Sequence, residues 1–397
     1  MSKVNDSGDF DIGAINAAHG AAEAYCRWRE GGDAVTTKAH GGYHAVLGYE
    51  AVRACASDTA RLVSGEGITI PSLLGNVRAI PAEMDPPAHA KYRKLVQQPL
   101  RPSRIESWSA RIAEVTDQVI DEFIEAGEAD LHRIAQGVPP VIIAEILGCP
   151  DEAQNMTHMT DVLNDASSSQ DLVVKMAAIG AFAGYVDGLV SACEQEPDRD
   201  DLLAQIVHGS VDGSPLSHQT AVGMTVTLVL AGQETTVNGI GSMLWLLGAH
   251  PQVKERLIAD PALIPQMVEE ILRLEAPVSM LARTAAEDLQ IDGVQVRKGE
   301  MVGLVYGAAN LDPATYPEPG KFDIDREGAP HLAFGYGPHR CVGEHLARAE
   351  MRIVAERVLA RIPDYRLTEP VQLGVNTAFS RGPVAVPAAF TPHPAGS

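Results

Sequence analysis

Apolar residues recur every three to four positions along most of the chain, a spacing that predicts helix. Ile112, Val115, Val119, Ile120 and Phe123 fall on one stripe between Ile112 and Ala126. Ser217 to Ala249 reads as one long helix, opened by a capping serine and closed before Pro251. Glu344 to Ile362 is a third, with Leu346, Met351, Ile353, Val354 and Leu359 apolar. Alternation with period two is rarer. It appears at Tyr43 to Leu47 and at Asp288 to Val302, where Ile291-Asp292-Gly293-Val294 reads as a hairpin turn. The pattern predicts a mainly α fold with a small β region. No composition break or fixed-period repeat cuts the chain, so residues 1–397 are expected to form a single domain. Gly- and Pro-rich stretches, Gly65 to Pro87 and Asp312 to Gly337, are too long for ordinary connections and are where chemistry is expected.

Composition narrows the function. With 397 residues, 45% of them hydrophobic, the chain has enough apolar surface for a sizeable core. Its 52 acidic against 31 basic residues give a formal charge of −21, which repels phosphate backbones and argues against nucleic acid as a partner. The first fourteen residues carry Asp6, Asp9 and Asp11 and no apolar run, unlike a secretory signal. The apolar stretches at Val141–Leu147 and Met224–Ala231 fall short of the roughly 20 residues that span a bilayer, so no membrane anchor is expected. Five scattered cysteines without a C-x-x-C pair fit a reducing compartment; the expected location is cytoplasmic.

One cysteine stands in unusual company. Phe334-Gly335-Tyr336-Gly337-Pro338-His339-Arg340-Cys341-Val342-Gly343 runs directly into the helix beginning at Glu344. A helix start favours an anion, so the Cys341 thiol is expected to be lowered toward thiolate. The nearby glycines admit a flat, bulky partner, and Phe334 could cover the sulfur from water. Burial as a small apolar residue is the plain alternative for a lone cysteine. A nucleophilic cysteine would need a general base, and no signature supplies one.

Phe334, Gly337, Cys341 and Gly343 match F-x-x-G-x-x-x-C-x-G, and the chain thereby resembles the cytochrome P450 monooxygenases. The resemblance implies the triangular prism-like P450 fold, with Cys341 as axial ligand of heme b, iron protoporphyrin IX. Phe334, Gly335, His339 and Gly343 would surround that cofactor. Thiolate ligation favours O–O cleavage. Glu270 and Arg273, three apart on one helix face, would otherwise be an ordinary ion pair. They resemble the family's E-x-x-R, with Arg326 as a candidate third member. Ala231-Gly232-Gln233-Glu234-Thr235 resembles A-G-x-[DE]-T, the oxygen-activation motif. Glu234 and Thr235 are then the acid and alcohol that deliver protons, and Gly232 leaves room for dioxygen. A plainer reading has the threonine bonding back to a carbonyl four residues earlier. His89 and Arg93 match H-x-x-x-R, and Arg283 matches the arginine after E-x-x-R. With His339 they would make four donors for two propionates. Leu311 stands where the family usually has Arg.

The resemblance further implies monooxygenation of a mid-sized hydrophobic molecule, a hydroxylation in secondary metabolism, by a soluble, bacterial-type monomer. Electrons would come from ferredoxin and its reductase. A basic group, Lys91, Arg93, Lys94, Arg101, Arg104, Arg340, Arg348 and Arg352, is expected to dock the ferredoxin. Substrate-lining candidates are Leu228, Ala231, Val278, Met280 and Phe379, with lid loops at Leu62–Ala82 and Leu163–Phe182. Two other uses stay open: oxidative coupling or ring closure without oxygen insertion, and a heme-thiolate sensor or carrier without turnover.

Overall fold

The computed structural model describes residues 9–70, 72–75, 77–167, 169, 171–374 and 380–396. Helices form where the apolar stripe runs unbroken. Those that position the site are α1 (Ala88–Gln97), α2 (Ser109–Asp121), α3 (His132–Leu147), α4 (Ala153–Ser167), α5 (Leu172–Glu194), α6 (His218–Ala249), α7 (Ile264–Glu275) and α8 (Glu344–Arg361). The main apolar core lies among α2, α3, α5, α6, α7 and α8.

The axis of this body is α6. Ser217 caps it, its hydroxyl accepting the Thr220 N–H at 3.2 Å. Its 32 residues extend about 48 Å. Glycine should weaken such a helix by about 1 kcal/mol per position relative to Ala, and close packing offsets that loss. A Cβ at Gly232 would stand 2.7 Å from Ile143 of α3, and one at Gly239 would stand 3.2 Å from the Met351 sulfur of α8. The expectation that Gly232 makes room for dioxygen is therefore corrected: its open side is filled by Ile143.

Among the strands, those of the main sheet and the hairpin beside it are β1 (Ala34–Thr37), β2 (Tyr43–Val46), β3 (Leu62–Val63), β4 (Leu281–Ala285), β5 (Leu289–Ile291), β6 (Val294–Val296) and β7 (Met301–Leu304). The main sheet has the order β1-β2-β7-β4-β3, parallel only between β2 and β7. Val302 of β7 lies opposite Arg283 of β4, which fixes where that arginine leaves the sheet. β5 and β6 form the expected hairpin, with Asp292 and Gly293 both at positive φ (43° and 81°), as the tight mirror-image turn requires. Leu311 is 3% exposed and packs in a second apolar cluster with Tyr25 and Val305, so it serves the core as a hydrophobe.

Two expectations change here. Leu163–Phe182 is mostly helical, falling in the end of α4 and the first half of α5; Leu62–Ala82, by contrast, is largely irregular after β3. In addition, α5, with 23 residues, is long and apolar enough to cross a membrane by length and composition. Its apolarity is spread over small residues rather than one dense run. Ala178, Phe182, Val186, Val190 and Cys193 nevertheless make one buried stripe, and the helix packs on α4 and α6.

Candidate heme-thiolate site

The loop before α8 is shaped by its backbone. Gly335 and Gly337 hold φ of 70° and 74°, where an L side chain is strained, and a Cβ at Gly337 would stand 2.8 Å from the Ala56 carbonyl oxygen. The Cys341 N–H donates to the Phe334 carbonyl at 2.8 Å, folding the loop back on itself. Cys341 is exposed as a residue, with protein atoms gathered around it. Burial pushes its thiol up, only partly offset by the Gly343 N–H, Arg93 and Arg348. The expectation of a lowered thiol is thus overturned for the polypeptide alone. Helix start and cations do not outweigh desolvation, and a bound metal cation is what makes a coordinating thiol ionise.

Beside the sulfur, basic groups converge. The His89 and His339 ring centroids lie 4.1 Å apart with the planes tilted by 39°, and His339 Nε2 lies 3.3 Å from Ser64 Oγ. Arg93 donates to the Arg340 carbonyl at 2.6 Å, and the buried Arg283 donates to the Ala282 carbonyl at 2.6 Å. Burial, then Arg283, His89 and Arg93, push the His339 imidazole down to about 3; burial and then Arg93 lower that of His89. Among the described residues, none of the four makes an ion pair with a protein carboxylate. Four half-buried or buried donors without an acid of the chain's own fit a ligand that brings two carboxylates, next to a sulfur donor.

Behind the loop, Glu270 and Arg273 form a buried pair, with Nε–Oε2 at 2.7 Å and Nη2–Oε1 at 2.9 Å. Arg326 joins at 3.2 Å. Arg273 also donates to the carbonyls of Asn310 and Pro319, and Arg326 to those of Pro317, Glu318 and Lys321. The trio therefore spends its charge holding the long Asp312–Gly337 segment in place.

On α6, Thr235 donates to the Ala231 carbonyl at 2.9 Å, the back-bonded arrangement. Glu234 Oε2 accepts from Asn164 Nδ2 of α4 at 3.0 Å, while its Oε1 is buried without a hydrogen-bond partner. Leu228, Ala231 and Thr235 share one face, Leu228 buried and Ala231 exposed. Val278 is half-buried and bridges Ser380. Met280 is corrected from substrate lining to core: it is 1% exposed, clustered with Tyr43 and Val305, and its sulfur fills the space beside Gly303. Phe379 lies outside the described residues. A cavity of about 460 Å³, lined by Val77, Ile80, Gly184, Asp187 and Gly223 among others, opens between α5 and the start of α6, three turns from Thr235.

Half of the docking group is paired with acids of the chain. Arg340 pairs with Glu344 at 2.6 Å, Arg348 with Glu344 and Glu269, Arg352 with Glu356 at 2.8 Å, and Lys91 with Asp212. Lys94, Arg101 and Arg104 are exposed and make no ion pair among the described residues. Pairing lowers the charge that Arg340 and Arg352 offer a partner, whereas Lys94, Arg101 and Arg104 keep theirs.

One group escaped the sequence reading altogether. Glu350 of α8 is 1% exposed, both its oxygens lack partners, and burial pushes its carboxyl up to about 8. Above about 4.5 the unfolded chain gives up a proton that the folded protein keeps until about 8. Stability thus falls as pH rises through that window, by roughly 5 kcal/mol at most. Replacing Glu350→Gln is expected to flatten this dependence, so the variant's unfolding midpoint gains more at about pH 8 than at about pH 5. Equal gains at both would contradict it.

A sulfur donor beside arginines that lack a counter-anion, in a helical body with small sheets, fits a heme-thiolate oxidoreductase. The sequence profile of cytochrome P450 matches residues 32–362, and the chain belongs to that family, whose cofactor is heme b. It is 33% identical to a steroid C26-monooxygenase of Mycolicibacterium smegmatis over 99% of this chain and 98% of that protein. It is 34% identical to the polyketide biosynthesis cytochrome P450 PksS of Bacillus subtilis over 77% of this chain and 76% of that one. The structure of a mutant of P450 EryK in complex with erythromycin B superposes with a TM-score of 0.85 at 26% identity, covering 98% of this chain and 99% of that chain.

Proposed function

We propose that this P450, folded as one domain, hydroxylates a mid-sized hydrophobic molecule in secondary metabolism, in the cytoplasm, with electrons from a ferredoxin and its reductase. Heme b, when bound, supplies the activation of dioxygen. Cys341 would hold the iron. His89, Arg93, Arg283 and His339 would hold the propionates, and Phe334, Gly335 and Gly343 would border the ring.

The observation that carries hydroxylation is Glu234. A carboxylate in the middle of an apolar helix, with one oxygen anchored by Asn164 and the other buried without a partner, carries a cost that a role in moving protons would explain. Beside it, Thr235 can pass a proton through its hydroxyl. This pair argues against a binding-only protein. Leu228, Ala231 and Val278 offer an apolar lining. The named relatives act on steroids or in polyketide biosynthesis, which supports a rigid, hydrophobic substrate class.

A screen of steroids and macrolides by the heme spin-state shift, followed by turnover under oxygen-18 dioxygen, tests the proposal. Expected is a shifted binder converted to product carrying one labelled atom. Binders that turn over without label would contradict hydroxylation and favour coupling or ring closure.

For the electron donor, Lys94, Arg101 and Arg104 support an acidic partner. Arg101→Glu with Arg104→Glu is expected to slow ferredoxin-driven reduction about tenfold at low salt, with the difference shrinking as salt screens it. An unchanged rate at low salt would count against this surface.

A further inference from the structure

The cation under Phe334 has a different assignment from the one its exposed neighbours suggest. The Arg348 guanidinium lies 4.4 Å from the centroid of the Phe334 ring. It is held by Glu269 of α7 through Nε at 2.6 Å and Nη2 at 3.0 Å, a two-pronged pair, and by Glu344 through Nη1 at 2.8 Å. His331 adds a contact to Glu269 at 3.1 Å, and its ring stands 5.7 Å from that of Phe334. Phe334 in turn accepts the Cys341 N–H through its carbonyl. The E-x-x-R helix, the helix after the cysteine and both ends of the loop thus meet at one guanidinium.

Charge balance sharpens the point. Arg340 and Arg348 face Glu269 and Glu344, two against two. Glu269 remains ionised in every ordinary buffer: burial pushes it up, but the His331 and Arg348 hydrogen bonds bring it down to about 2. Removing Arg348 alone leaves a net negative charge beside the sulfur and frees one face of Phe334.

We propose that Arg348 is a positioning residue of the thiolate loop, clamped by Glu269 and Glu344, which seats Phe334 and balances the acids beside the sulfur, thereby tuning the iron's reduction potential. A ferrous center carries one positive charge fewer than a ferric one, so a nearby cation favours reduction. The inference rests on heme ligation by Cys341. It asks nothing of Glu234 or the substrate.

The test is the midpoint potential and the reduced carbon-monoxide spectrum of purified holoenzyme for wild type, Arg348→Gln, Arg348→Lys and Glu269→Gln. Arg348→Gln is expected to shift the potential negative and to raise the fraction lacking the thiolate band severalfold. Glu269→Gln is expected to shift it positive, and Arg348→Lys to stay near wild type in potential. Opposite signs from the two partners are what a merely structural clamp would not produce. If Arg348→Gln takes up no heme, the sign of the Glu269→Gln shift decides. Potentials unchanged in the loaded variants, or shifted alike by Glu269→Gln and Arg348→Gln, would overturn the proposal while leaving the heme assignment standing. A wild-type protein without the thiolate band would overturn both.

Discussion

Arg273→Ala is expected to yield no heme-loaded protein under conditions where the wild type is red and soluble. The substitution takes from Glu270, 5% exposed, its two-pronged partner and leaves this buried carboxylate with the longer Arg326 contact and the Asp323 N–H. Losing one member of a buried pair costs about 3–5 kcal/mol, a large share of the whole stability of a folded domain. The damage is also directional. Arg273 ties down the carbonyls of Asn310, Pro319 and Lys321, and Asn310 Oδ1 accepts the Leu332 N–H at 2.6 Å, two residues before Phe334. The segment released is therefore the one that delivers the cysteine. Absorbance at the heme band per mole of protein is the check. Full heme content in Arg273→Ala would show that the trio is dispensable.

The second large effect concerns protons rather than folding. Glu234→Gln keeps the shape of the side chain and still accepts from Asn164, but it removes the ionisable group. Product formation is expected to fall by about 10²-fold, within the range assigned to a positioned acid or base. Thr235→Ala frees the Ala231 carbonyl from its hydroxyl partner and removes the relay beside it. Its expected signature is continued consumption of NAD(P)H with most electrons lost to reduced oxygen species instead of product. Product per NAD(P)H, measured with a substrate from the spin-state screen, separates these outcomes. Both variants turning over with wild-type coupling would remove Glu234 and Thr235 from the reaction.

What the sequence disclosed, and what it withheld, follows from the range of the forces involved. The cap at Ser217, the turn at Asp292-Gly293 and the helix after Gly343 depend on neighbours within a few residues, and the residues themselves announce them. Arg283, His89 and His339 were legible as motif members, but their convergence without a counter-anion is visible only in three dimensions. Gly232 was misread because its true neighbour, Ile143, lies far back in the chain on α3. Arg348 was read as a surface cation because its partner Glu269 is 79 positions away. Met280 went astray for the same reason, its surroundings being set by Gly303 and Tyr43 on other strands. Glu350 was passed over because nothing local marks a helical glutamate as buried.

Heme binding here depends on the Cys341 sulfur, and one spectrum addresses it. The dithionite-reduced, carbon-monoxide-treated protein is expected to show the long-wavelength Soret band of thiolate-bound heme, and Cys341→Ser is expected to lose that band even where pigment is retained. A wild-type spectrum without it, or a Cys341→Ser spectrum indistinguishable from the wild type, would contradict the assignment.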